Sequence, residues 1–331
     1  MSALAAAVQA FARRHRLRGW EALPWLAALG AFFVFPNHLS FGTQLLVTIL
    51  FALSLDLVLG YAGIVTLGHA AFFGAGAYTV AMLAAHAGWN EPLSGLVAAA
   101  AVAAAIGFLS GAVLLRTHGL ALLMLTLCTM ALLEQAANMA AVWTGGYDGI
   151  PGLKFQPILG LFDFDVLYFR SQYLYVLAVL FLCFAFVRML VYSAFGQSLT
   201  GVRENVVRMH AVGAPVRARL LVAYTLSAAL AGVAGGLFTQ ATGFVNLAVL
   251  GLERSAGVLI VLILGGFGRL YGAFVGAVLY LLLEHQLAKI YPTAWQLGIG
   301  VLLVLVALYA RNGILGLADT LDQRLEARRR R

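Results

Sequence analysis

The sequence is short of charge. Asp, Glu, Lys and Arg make up 10% of its 331 residues, hydrophobic residues make up 63%, and the mean hydropathy is +0.94. A water-soluble domain carries about a quarter of its residues as charges, so that class is excluded. Cysteine is nearly absent as well: Cys128 and Cys183 stand far apart inside apolar runs. They read as small buried hydrophobes, and neither a disulfide nor a metal site is expected. The chain also lacks a Gly-Lys-Ser or Gly-Lys-Thr phosphate loop, a paired-carboxylate spacing, a metal-ligand cluster and a nucleophile elbow. No catalytic residue, cofactor or resident metal is therefore expected, and any work the protein does must draw on a partner or a gradient.

What is present is a series of apolar runs, each near the roughly 20 residues that cross a bilayer as a helix. The plainest, 93–115, contains no charge. Further runs at 22–35, 43–59, 70–87, 120–142, 173–191, 220–240, 256–264, 272–287 and 294–309 predict an all-α polytopic membrane protein. It would have about ten membrane-crossing segments, some of them discontinuous, and 256–287 reads either as two crossings or as a re-entrant hairpin. The basic "ARRHRLR" before 22–35 resembles the start of a signal peptide, but no small-residue cleavage site follows, so a retained first helix is expected.

The net charge of +8 raises nucleic acid as a partner. The basic residues, however, are dispersed among the membrane runs and gathered at both termini, which is the pattern of positive-inside topology. With ten crossings, Lys154, Arg170, Arg254 and Lys289 fall outside and the other basic residues inside, so both termini are expected in the cytoplasm. This divides the chain into a cytoplasmic segment 1–21, a transmembrane domain 22–317 and a basic cytoplasmic tail 318–331. Two loops stand out: 143–170, external and rich in turn residues and aromatics, and 193–219, internal and polar. The second has a helix-compatible stretch at 197–212 and reads as a docking element whose charges face water.

Glycine is abundant. Gly268, Gly272 and Gly276, Ala228, Gly232 and Gly236, and Ala70 and Gly74 form small-residue rows suited to helix packing. Gly60, Gly63 and Gly68 in "GYAGIVTLGHAAFFGAGAY" do not share a helical face and are interleaved with Thr66 and His69. They predict a broken helix beside a permeation path. A similar stretch, "LGGFGRLYGAFVGAVLY", contains Gly265 and Gly266 and suggests a two-fold internal repeat. Among the ionisable residues at depth, Asp56 lies between Ser54 and the first break and is the better pathway candidate, while Glu284 and His285 read as snorkelling near a helix end. The expected path thus comprises Asp56, Gly63, Thr66, Gly68, His69, Gly265 and Gly266.

The stretch from Gly60 to Tyr78, with "LGHAAFFG" and "GAY", closely resembles the signature of bacterial ATP-binding-cassette permeases for branched-chain amino acids. The likeness continues in order through "TGGYDGIPGL", "SAFGQSLTGVREN", "SAALAGVAGGLF" and "LGGFGRLYGAFVGA", over about 43–317. The resemblance implies a subunit of a heteromeric importer in the bacterial cytoplasmic membrane. Its partners would be a second permease, two cytoplasmic ATPases and an extracytoplasmic substrate-binding protein. It aligns Arg203, Glu204, Asn205, Arg208 and Gly213 with the family's ATPase-contacting element. The chain departs from the family's usual acidic residue near Val206, its alanine pair near Arg208 and Met209, and its polar residue at Ile64. Branched-chain or other hydrophobic amino acids are the leading substrate class, with urea or short amides as near alternatives. An ion-coupled secondary transporter using Asp56 and Glu134 is the reading from another class.

Overall fold

Inside a bilayer no water is available to backbone N–H and C=O groups, so a spanning chain must pair them internally. The computed structural model describes residues 22–157, 169–290, 292, 295–309, 313–314 and 316. Among these, every regular element is helical, and the one exception is an isolated antiparallel bridge between Ile150 and Val245. The expected segment 1–21, the tail 318–331 and residues 158–168 of the expected external loop lie outside the described residues.

The helices are α1 (Leu23–Val34), α2 (Leu39–Asp56), α3 (Ala70–His86), α4 (Pro92–Leu114), α5 (Leu120–Met139), α6 (Ala141–Thr144), α7 (Phe169–Tyr192), α8 (Ala194–Glu204), α9 (Val206–Ala211), α10 (Val216–Thr242), α11 (Leu252–Gly265), α12 (Gly272–Ile290) and α13 (Trp295–Tyr309). A helix stands in each of the ten apolar runs. Six spans are long and apolar enough to cross a membrane: Pro36–Tyr61, Pro92–Leu114, Leu120–Met139, Arg170–Tyr192, Val216–Thr242 and Gly272–Ile290. α1 and α3 are apolar but shorter. The run at 256–287 resolves into one short helix, α11, and one of spanning length, α12.

Local chemistry sets the ends. Pro92 begins α4, where a missing N–H costs nothing, after Glu91 in an extended conformation. The Ser193 hydroxyl accepts from the Gly196 N–H at 3.4 Å and caps α8.

α10 is the centre of the bundle and packs on α2, α3 and α4. Its small residues allow that approach. A Cβ added to Gly232 would lie 2.7 Å from the Ala99 carbonyl oxygen, and one added to Gly236 would lie 2.8 Å from Leu96. Gly76 of α3 meets Gly232 so closely that an added Cβ would stand 2.5 Å from its Cα. Hydrogen bonds fix the register: Thr239 Oγ1 donates to the Ala77 carbonyl at 3.1 Å, and Gln240 Nε2 donates to that of Pro92 at 2.8 Å. The row Ala228, Gly232 and Gly236 is thus a packing seam. Gly76→Val should lower the melting temperature of the detergent-solubilised protein, since overpacking costs about 1–3 kcal/mol and here the obstructing atoms are backbone. Gly30→Ala, in α1 with nothing within 4 Å of the added Cβ, should leave it unchanged or raise it slightly. Thermal melting of the two variants checks the seam.

Two expectations about small residues are corrected. Gly268 is not part of a row with Gly272 and Gly276, because it lies in the turn before α12 at φ 75°. Gly272 and Gly276 do face α11: an added Cβ on Gly276 would lie 3.0 Å from the Gly265 nitrogen. Cys128 is exposed on α5 and Cys183 is half-buried, so only the second approaches the buried hydrophobe expected of both.

Candidate functional site

The first glycine stretch breaks as its composition requires. α2 does not stop at Asp56 but widens into one π-helical turn, Leu57–Tyr61, and the chain then leaves helical geometry at Gly63, where φ is 73°. That conformation is open to glycine and strained for a β-branched residue. Gly63 and Val65 are exposed, and four of the freed N–H groups find partners within the protein, as membrane depth demands. Ile64 N–H donates to the Val58 carbonyl at 3.0 Å, Gly68 N–H to Thr66 Oγ1 at 3.2 Å, Leu67 N–H to Thr126 Oγ1 at 3.4 Å, and Ala70 N–H to Ser255 Oγ at 2.8 Å.

The second stretch breaks between α11 and α12 with positive φ at Gly266 and Gly268. The two breaks meet. Gly268 N–H donates to Asp56 Oδ1 at 2.6 Å, and a Cβ on Gly60 would lie 2.8 Å from Gly268 Cα. A third element joins them, since the Arg203 guanidinium at the end of α8 donates to the Gly60 carbonyl. The Arg203 stem lies so close to Gly63 that an added Cβ there would stand 2.7 Å from Cγ, and one on Gly268 would stand 2.9 Å from Nη1. Arg203 is exposed on its outer side, as a water-facing residue should be, but it does more than face water: it ties the polar loop to the first break and lies against the second. Asp56 is 1% exposed, its second oxygen has no hydrogen-bond partner among the described residues, and Arg203 is the cation acting on it.

The expected path residues therefore divide. Asp56, Gly63, Gly265 and Gly266 belong to this junction or border it. Thr66, Gly68 and His69 sit on its far side, in packing between α2, α3 and α5. Gly68 has no positive φ, and a Cβ there would run into the Thr126 backbone, 2.8 Å from its carbonyl carbon. His69 is buried, with its ring stacked on Phe51 at 5.5 Å and Nε2 2.9 Å from Ser54 Oγ. The Ser54 hydroxyl proton is spent on the Phe51 carbonyl at 2.6 Å, so Ser54 accepts and His69 Nε2 carries the proton. This histidine ties α3 to α2.

The helix expected across 197–212 is two helices. Asn205 is extended, at φ −160° and ψ 101°, and its side chain accepts from Arg208 N–H at 2.9 Å, which starts a new helix where the old one would have continued. Gly213, at φ 80°, turns the chain back toward α10. The result is a knob that exposes Glu204, Asn205 and Arg208 together with Val206, Val207 and Val212, the last two at 78% and 77%. Clustered apolar exposure of this kind marks interaction surfaces, with protein or with membrane.

At the other end of α2, near the start of α11 and the end of α12, lies a cavity of about 300 Å³. Its polar wall is made of Gln44 and Thr48 from α2, Glu253 and Arg254 from α11, and Tyr280 and Glu284 from α12. The Arg254 guanidinium lies over the rings of Phe73 and Phe238, 5.4 and 4.9 Å from their centroids. Glu284, read from the sequence as near a helix end, lines this cavity. The sequence places Arg254 just before the run 256–264, on the external side, and Glu284 near a helix end, and it does not show the rotation that faces them to one space.

The family model for the branched-chain amino acid transport system / permease component matches residues 37–308. The high-affinity branched-chain amino acid transport system permease protein LivM of Salmonella typhimurium is 31% identical over 319 residues, covering 89% of this chain and 73% of that protein. LivM of Escherichia coli is 30% identical over 318 residues with the same coverage. An autoinducer 2 import system permease protein, LsrC of Escherichia coli, is 28% identical over 250 residues, 72% of this chain and 68% of its own length. No solved structure matches the chain significantly.

Proposed function

The chain belongs to the family of branched-chain amino acid transport permease components, and from that premise we propose that it is one of two transmembrane subunits of an ATP-binding-cassette importer for branched-chain or other hydrophobic amino acids. Two ATPase subunits on the cytoplasmic side supply the energy, and a soluble binding protein delivers substrate on the other. In this reading the chain sits in the bacterial cytoplasmic membrane with about ten crossings and both termini inside. α1, α3, α11 and α13 complete the count as short or discontinuous segments, and the two breaks belong to related halves.

The observation that carries the proposal is Arg203. It stands at the end of a helix whose neighbours form the exposed knob, yet it holds the carbonyl of one break and lies beside the carboxylate that pins the other. A push on the knob therefore arrives at the place where the membrane helices are already interrupted. Glu204, Asn205, Arg208 and Gly213 form the surface that meets the ATPase, and Arg203 passes the displacement to Gly60 and Asp56. Gly63, Thr66, Gly68, His69, Gly265 and Gly266 belong to the interrupted segments that open to let substrate through. The ion-coupled alternative needs Asp56 on an ion path, whereas this carboxylate is engaged by the Gly268 N–H away from the cavity wall. The likeness to a permease named for autoinducer 2 import supports import as the direction, and the greater identity and coverage of the LivM proteins favour amino acids as the cargo.

Replacing Glu204 and Arg208 together with alanine should leave the melting temperature of the membrane subunit unchanged, because both side chains are exposed. It should weaken co-purification of the ATPases and lower uptake in proportion. Undiminished pull-down with undiminished uptake would reject the knob as the ATPase contact.

A further inference from the structure

Resting on the reading of this chain as an amino-acid importer subunit, we propose that the cavity between α2, α11 and α12 is a site for the substrate's zwitterion, with Arg254 receiving the α-carboxylate and Glu284 the α-ammonium group. Nothing in the family likeness assigns these residues.

A lone charge at membrane depth costs a few kcal/mol even on insertion scales, so ionisable residues there are paired or wetted. Here a cation and a carboxylate line one cavity, and each acts on the other. The cavity between them is about 300 Å³, the lower end of the roughly 300–1,000 Å³ typical of small-molecule sites. An α-amino acid carries one charge of each sign a few bonds apart. It enters such a space by giving each wall charge an opposite partner, and the total charge of the site does not change.

Neither wall charge is loose. Arg254 rests on the faces of Phe73 and Phe238, which attract a guanidinium and hold its fork in one orientation before substrate arrives. The second acid, Glu253, is engaged by the Gln296 side-chain amide, which leaves Glu284 as the carboxylate for an incoming ammonium. The remaining wall is apolar, with Val47, Phe51 and Val258, and suits a branched aliphatic side chain. Gln44 and Glu253 are exposed, so the cavity has an open side through which a solute passes.

The test uses the assembled importer in nanodiscs without the binding protein, so that delivery does not filter the ligands. Binding of three probes is compared by saturation-transfer NMR: leucine, leucinamide, which keeps the ammonium but has no carboxylate, and the α-hydroxy acid analogue of leucine, which keeps the carboxylate but has no ammonium. Glu284→Gln should weaken leucine and leucinamide by about tenfold or more, the low end for a hydrogen bond to a charged group. It should leave the hydroxy acid unaffected. Arg254→Gln should weaken leucine and the hydroxy acid and spare leucinamide, and Arg254→Lys, which keeps the charge and the fold, should show the same selectivity to a smaller extent. The proposal is overturned if leucine binds the variants as it binds the parent protein. It is equally overturned if all three probes weaken together in Glu284→Gln and Arg254→Lys, or if the parent shows no leucine binding. ATP-driven leucine uptake by the parent complex separates the two levels: uptake present with variants indistinguishable from it sinks this site alone, and uptake absent sinks the amino-acid reading.

Discussion

Gly63→Val is expected to give an importer that assembles, hydrolyses ATP and moves no substrate. Valine at φ 73° is strained by about 1–3 kcal/mol, and its Cβ would come 2.7 Å from Arg203 Cγ and 3.4 Å from Arg203 Cα. The strain falls on an irregular segment and not on a helix seam, so the bundle has room to form while Arg203 is pushed off the Gly60 carbonyl. Transport is then uncoupled from hydrolysis. Gly63→Asn, which tolerates a left-handed backbone, removes most of the strain but keeps the obstruction and should still lower uptake strongly. Gly68→Val behaves differently. Its obstacle is the Thr126 main chain inside α5, which has nowhere to go, and the expected outcome is failure to assemble. Size-exclusion profiles, ATPase rates and uptake of the three variants decide the matter. Normal uptake by Gly63→Val would remove the junction from the mechanism, and loss of assembly would make Gly63 another packing position.

Asp56→Ala should have the second large effect. The carboxylate accepts from an N–H 212 residues away and is nearly inaccessible to water. Its removal leaves the half-buried Gly268 N–H without an acceptor, at a cost of up to about 1–3 kcal/mol, and takes the counter-charge from Arg203. Where the whole margin of stability is about 5–15 kcal/mol, a clear drop in melting temperature follows. Asp56→Asn separates the two roles, because its amide oxygen still accepts from Gly268 while the charge beside Arg203 is gone. The expected result is a melting temperature near that of the parent with uptake reduced. If Asp56→Ala melts and transports like the parent, the two breaks are not held together by this residue.

Much of this was legible from the chain alone. The helices lie in the apolar runs because a bilayer accepts few other arrangements of the backbone, and the interruption was visible because Gly60, Gly63 and Gly68 do not share one helical face. Local signals failed where the answer depended on what lay opposite. The helix expected across 197–212 ended at Asn205 because its side chain caps the next helix better than its backbone continues the first. Gly268 matched a four-residue spacing with Gly272 and Gly276, yet α12 starts only at Gly272, after the positive-φ turn. The residues around His69 likewise gave no sign that its ring stacks on Phe51 and meets Ser54 Oγ.

Composition and hydrophobic pattern by themselves determined an all-helical membrane protein with two interrupted stretches and a polar loop, and a series of short motifs carried the likeness to a permease family, because each of these is written over neighbouring residues. Only the tertiary structure decided that the two interruptions touch, that Arg203 reaches both, and that Arg254 and Glu284 line one cavity. Those contacts join residues 30 to 212 positions apart. They depend on the rotation and close approach of whole helices, which small residues permit and buried hydrogen bonds select.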